Sequence, residues 1–94
     1  MAVSALQVEL HFGAVRTPRQ RQQLVQGIVQ HLRHRFPVAV AEIGPTDRLA
    51  DATLGVAAVA RTRQEAREIL VHVADALDGH PHAEVTRRRL DDLA

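Results

Sequence analysis

The chain is written twice. At an offset of 45 residues Arg16-Thr17 recurs as Arg61-Thr62, each followed by Gln20 or Glu65 at the third helical position of a capping box. The apolar set Leu24, Val25, Ile28 and Leu32 recurs as Ile69, Leu70, Val73 and Leu77, and both sets have the i, i+1, i+4, i+8 spacing of one helical face. Stretches 3–12 and 52–60 precede the two helices; in the first, Leu6, Val8, Leu10 and Phe12 alternate with Ala5, Gln7, Glu9 and His11. Stretches 38–43 and 83–90 follow them, with Val40 and Val85 again 45 apart. Two β-α-β units in tandem predict an α+β fold of the ferredoxin-like class. It is a split β-α-β sandwich of order βαββαβ, with four antiparallel strands and helices near 18–35 and 63–78 on one face. Right-handed crossovers put strands one and three in the centre, between strand four and strand two.

That topology assigns faces. Leu6, Val8, Leu10, Phe12, Val38, Val40, Leu54, Val56, Ala58 and Val85 are expected beneath the helices. The open face is expected to carry Gln7, Glu9, His11, Thr53, Gly55, Ala57, Val59, Ala39 and Ala41. Half of it is small and apolar, which predicts a homo-oligomer, a dimer, that uses Ala39, Ala41, Ala57 and Val59 or the adjoining edge strand. Gly44-Pro45 opens the one long loop, 44–51, and Gly79-His80-Pro81 ends the second helix.

Composition narrows the chemistry. Ninety-four residues suit a single domain, 1–94, with one two-layer core. No apolar run approaches the roughly 20 residues needed to span a bilayer. The start MAVSALQVELHF alternates like a strand and lacks a charged n-region, so a cytoplasmic address without a membrane partner is expected. With no cysteine there is no disulfide, thiolate zinc site or cysteine nucleophile. The only serine, Ser4, has no glycine elbow around it. His31 and His34, and the pair His80 and His82, lack a third ligand at a supporting spacing, so neither metal nor other cofactor is expected. Glu42 shares the phase of Val38 and Val40, where an ion pair with a neighbouring arginine, or a bulge that turns Glu42 outward, outweighs a general-base role. The phosphatase activity known on this fold would be analogy alone, since the glycine-flanked arginine loop is missing. No catalytic constellation is expected.

The basic residues are all arginine, and lysine, tyrosine, tryptophan and asparagine are absent. A formal charge of +1 is too small to imply nucleic acid by itself, but its distribution is uneven. Between Glu9 and Glu42 there is no acid, and Arg16, Arg19, Arg21, Arg33 and Arg35 make that stretch strongly positive. In RTPRQRQ, residues 16–22, cations stand at a helix start, where the macrodipole favours anions. Orphan amides beside guanidinium groups suit phosphate, and Arg19, Gln23, Gln26, Gln30 and Arg33 form an outer stripe able to lie along an RNA backbone. A solvated polar face explains the same residues more plainly. Base stacking on the sheet is not expected, because the open positions of the central strands hold no aromatic residue.

Along most of its length, from about Val3 to Glu84, the chain resembles the YlxP-like family of small bacterial proteins, a domain of unknown function. The likeness rests on VELHF at 8–12, RTPRQRQ at 16–22, LRHRFPVAVAEIG at 32–44, Asp47, ADATLGVAAVA at 50–60 and LDGHPHAE at 77–84. By this resemblance Arg19 and Arg21 stand where the family carries lysines, and Arg33, Arg35, Phe36, Glu42 and Gly44 match directly. Gln22 stands in place of a common arginine and Leu49 in place of a frequent tryptophan. The resemblance implies a ferredoxin-like fold without an established activity. It also implies genes often adjacent to those of translation initiation and ribosome-binding factors, hence ribosomal or other structured RNA as the expected partner.

Overall fold

The structure, a computed structural model, describes residues 1–44 and 47–94. In chain order the elements are β1 (Ala2–His11), α1 (Pro18–Arg35), β2 (Val38–Glu42), β3 (Asp51–Ala60), α2 (Arg63–Asp78) and β4 (Glu84–Asp92). The sheet is antiparallel, in the order β2-β3-β1-β4. This is the expected ferredoxin-like arrangement, with both inner strands where right-handed crossovers place them. Of the long loop, Pro45 and Thr46 lie outside the described residues.

Both helices start as their sequences dictate. Thr17 and Thr62 are extended N-caps whose hydroxyls accept from the amides of Gln20 and Glu65, each at 3.1 Å. Pro18 then occupies the first turn of α1, where its missing N–H costs nothing. The Gln20 side chain reaches back and accepts from the Arg16 amide at 2.9 Å. At the far ends, Phe36 returns to extended backbone ahead of Pro37, and Gly79 caps α2.

The core lies between sheet and helices. Leu6, Val8, Leu10 and Phe12 from β1 and Leu54, Val56 and Ala58 from β3 meet Val25, Ile28 and Leu32 of α1 and Leu70, Val73 and Leu77 of α2. Of the expected inward residues, Val38 and Val85 are half-buried at the margins and the rest are buried. Strand β4 departs from simple alternation: a register shift opposite Glu9 and Leu10 inserts a bulge at Thr86. Beyond it Leu90 pairs with Leu6 and packs against the core, and Arg88 falls in the same phase opposite Val8. Arg87, Arg89 and Asp91 go to the open face.

Candidate nucleic-acid interface

The arginines divide into two populations. Of the twelve, Arg21, Arg48, Arg61, Arg63, Arg67, Arg87, Arg88 and Arg89 stand within 4.0 Å of a carboxylate. Among the described residues the remaining four, Arg16, Arg19, Arg33 and Arg35, have none. All four lie on α1 or just before it. Between Glu9 and Glu42 the chain has no acid, so this helix supplies no counter-charge of its own.

The repeat-related helix is an internal comparison. At the start of α2, Glu65 occupies the first turn and stands 3.9 Å from Arg61. The same position of α1 holds Gln20, which caps equally well but carries no charge. Arg16 and the α1 dipole are therefore left uncompensated where α2 is neutralised within its first turn. Arg19, Gln23, Gln26, Gln30 and Arg33 are all exposed and fall within one narrow stripe. From Arg19 to Arg33 the stripe runs about 21 Å at the helical rise. Arg33 also donates to the Val40 carbonyl of β2 at 2.8 Å, which holds the root of its guanidinium against the sheet edge. Arg35 lies with its guanidinium carbon 5.3 Å from the centre of the Phe36 ring, and its charged face is exposed.

Arg21 has a different place from its four companions. It is only 8% exposed and lies in phase with Val25, Ile28 and Leu32 on the inner side of α1. Its Nη2 donates to Glu42 Oε2 at 2.5 Å and to the Asp51 carbonyl at 2.8 Å, and its Nε donates to the Arg48 carbonyl at 3.1 Å. Arg21 thus clamps the end of β2 and the chain entering β3 onto α1. This ion pair also accounts for Glu42, whose inward phase is satisfied by charge and hydrogen bonding. The expected phosphate patch therefore reduces to Arg16, Arg19, Arg33 and Arg35. The signal for this lay in the sequence: an arginine in the apolar phase of a helix and a glutamate in the apolar phase of a strand imply each other.

A second polar cluster, which sequence reasoning missed, joins both ends of the chain. Ser4, fully buried, donates to Asp92 Oδ1 at 2.9 Å, and Arg67 Nε donates to the same oxygen at 2.9 Å. Arg63 stands 3.5 Å from Asp92 Oδ2. The hydrogen bond from Arg67, helped by that from Ser4 and by both positive charges, pushes the Asp92 carboxyl down to about 2. This arrangement is a tie between β1, β4 and α2. The serine has no imidazole beside it, and its carboxylate partner is already saturated by guanidinium groups.

Three of the six histidines, His31, His80 and His82, stand near the end of α2. His80 Nδ1 accepts from the His82 amide at 3.1 Å, with the two rings edge-on. Burial, then the charges of His82 and His31, lower the His80 pKa. No cluster of three or more metal-ligating side chains is assembled among the described residues. Nor is any described helix long and apolar enough to cross a membrane.

On the open face the two central strands present Gln7, Glu9, Thr53, Gly55 and Ala57, with Ala39, Ala41 and Val59 beside them. Phe12 is buried and Phe36 half-buried, so the one ring on the open positions of the central strands is the imidazole of His11, which stands 3.0 Å from Asp51 Oδ1 at the strand end.

No curated protein matches the chain. The model of one family, described as a protein of unknown function (DUF503), matches residues 3–90, nearly the whole fold with both helices and the arginine-bearing face, and the chain belongs to that family.

Proposed function

We propose that this protein is a non-catalytic binding module that docks on structured RNA through the outer face of α1. The observation that carries the reading is the segregation of charge. Eight arginines stand within 4.0 Å of a carboxylate, and the other four lie on α1, which has no acid, or just before it. Phosphates are the ligand that such a face suits. Guanidinium forks match their geometry, the helix start adds its dipole, and Gln23, Gln26 and Gln30 supply neutral donors and acceptors for phosphate and 2′-hydroxyl groups. The YlxP-like resemblance, with its gene neighbourhood in translation, points to ribosomal RNA.

The binding is weak and indifferent to sequence, because nothing on this face reads base edges and the net charge is only +1. Ribosome and RNA co-sedimentation at two salt concentrations tests it, with wild type beside an Arg16→Glu, Arg19→Glu variant. Wild type should pellet at low salt and remain in the supernatant at high salt, and the variant should remain in the supernatant at both. Equal recovery of the two proteins, or none of either at low salt, rejects the RNA role.

A further inference from the structure

We infer that the open face of the sheet is the contact surface for a second copy of this chain, in a defined register. The occupant follows from the way the face is laid out. The strand registers place Ala39, Ala57, Ala5 and Asp91 in one row across the sheet, and Ala41, Gly55, Gln7 and Arg89 in the next. Six of these eight positions are small or uncharged. At the β4 end the two rows finish in opposite charges, Asp91 and Arg89, 2.8 Å apart.

A two-fold axis lying in the interface, across the strands and between these two rows, exchanges them. Ala57 of each copy then meets Ile43 of the other where it folds over Gly55, Ala39 meets Ala41, and Asp91 meets Arg89. Two ion pairs become a four-membered ring of alternating sign, the reciprocity that an isologous contact requires. The next rows follow, with Val59 and Val3 on one side and Thr53 and Glu9 on the other. Such a contact is a stack of two sheets about 10 Å apart.

Three further features suit this partner. Val59 and Ile43 are among the few large hydrophobic side chains left exposed, and both stand on this face; Ile43 folds over Gly55. Three long strands and one short one cover roughly 550 Å² in projection at sheet spacing, about 1,100 Å² for the two copies, which clears the ~1,000 Å² a specific interface needs. The edge route is less open, since Arg33 already binds the Val40 carbonyl of β2 and β4 carries three consecutive arginines. Both helices lie on the far side of the sheet, so the dimer would display two α1 faces outward, on opposite sides.

Light scattering on size-exclusion fractions of the full chain tests this, with circular dichroism to establish that each variant is folded. Wild type should have twice the 10.4 kDa chain mass at high micromolar concentration, and Ala57→Arg should have the mass of one chain. Asp91→Arg and Arg89→Asp should each be monomeric alone. Mixed together they should form a heterodimer, because each supplies the charge that the other lacks. A wild type that stays at 10.4 kDa overturns the inference and leaves the face to a different partner. A dimer that survives Ala57→Arg overturns the face, and single charge variants that dimerise like wild type overturn the register. Ala57 lies on the side away from α1, so RNA co-sedimentation of the folded Ala57→Arg protein reports on the other reading separately.

Discussion

Replacing Arg21 by methionine removes a charge from the inner side of α1 while keeping most of the side-chain volume. The guanidinium is held by one carboxylate and two backbone carbonyls, and its side chain is 10% exposed against 23% for Glu42. The variant leaves the Glu42 carboxylate half-enclosed without a counter-charge and the carbonyls of Arg48 and Asp51 without their donor. Breaking one side of a buried pair costs about 3–5 kcal/mol, and partial access of water to Glu42 puts the expected loss near the lower end, about 3 kcal/mol. In a domain of this size that lowers the melting temperature on the order of 15 °C. Glu42→Gln keeps an acceptor for Arg21 but leaves the guanidinium, the more buried of the two charges, without its counter-charge, so it should also cost about 3 kcal/mol. The Arg21→Met, Glu42→Gln double variant should cost less than the sum of the singles, as contacting partners do. Urea unfolding of the four proteins measures all three quantities. Hydrogen exchange at Arg48–Ala52 locates the effect, because these amides should lose protection first in Arg21→Met. A variant within about 0.5 kcal/mol of wild type, the range of ordinary surface substitutions, with unchanged exchange there, would show that Arg21 is not a clamp.

Two pH effects follow from the polar clusters. Asp92 keeps its charge in the fold down to about 2, against an ordinary value of 3.8, so its contribution is complete above 3.8 and lost as pH falls from 3.8 towards 2. Asp92→Asn should therefore be less stable than wild type at neutral pH, and urea titrations should show the gap closing through that acid range; a gap constant with pH contradicts this. The His80 pKa lies below its ordinary value of 6.5, so the unfolded chain takes up this proton first and stability should decline as pH falls through 6.5. His80→Gln should flatten that decline, and an unchanged slope would assign it to other groups.

The fold was legible because its two halves repeat. Each carries its own capping box and apolar helical face, and those local signals agree with one topology. Helix bounds at Pro18–Arg35 and Arg63–Asp78 follow from threonine caps and the stops at Phe36-Pro37 and Gly79. The end of β4 was not legible. The bulge at Thr86 shifts the alternation by one residue, so Leu90 joins the core and Arg88 turns to the helix side, where it meets Asp78 at 3.1 Å. Nothing local in Arg87-Arg88-Arg89 announces that shift. The Ser4–Asp92 bond joins residues 88 apart and depends on the same register. The basic face was visible as an acid-free run, but its membership was not, because counting charges does not say which ones are already paired. Arg21 is the case in point, since it belongs to the run by sequence and to the core by phase.

The most direct test of an RNA-docking α1 is the salt dependence of binding to a structured RNA hairpin, measured by fluorescence anisotropy. Each phosphate neutralised contributes about 0.7–0.9 to the slope of log affinity against log salt, so three or four contacts give a wild-type slope of roughly 2–3.5. Arg16→Glu, Arg19→Glu should remove about two of those contacts and lower the slope by roughly 1.4–1.8. Arg61→Glu, the repeat-related change on α2, alters the charge equally per substitution but lies beside Glu65, and should leave the slope where it was. Slopes that fall alike for both helices, or binding without salt dependence, would contradict an RNA-docking face on α1.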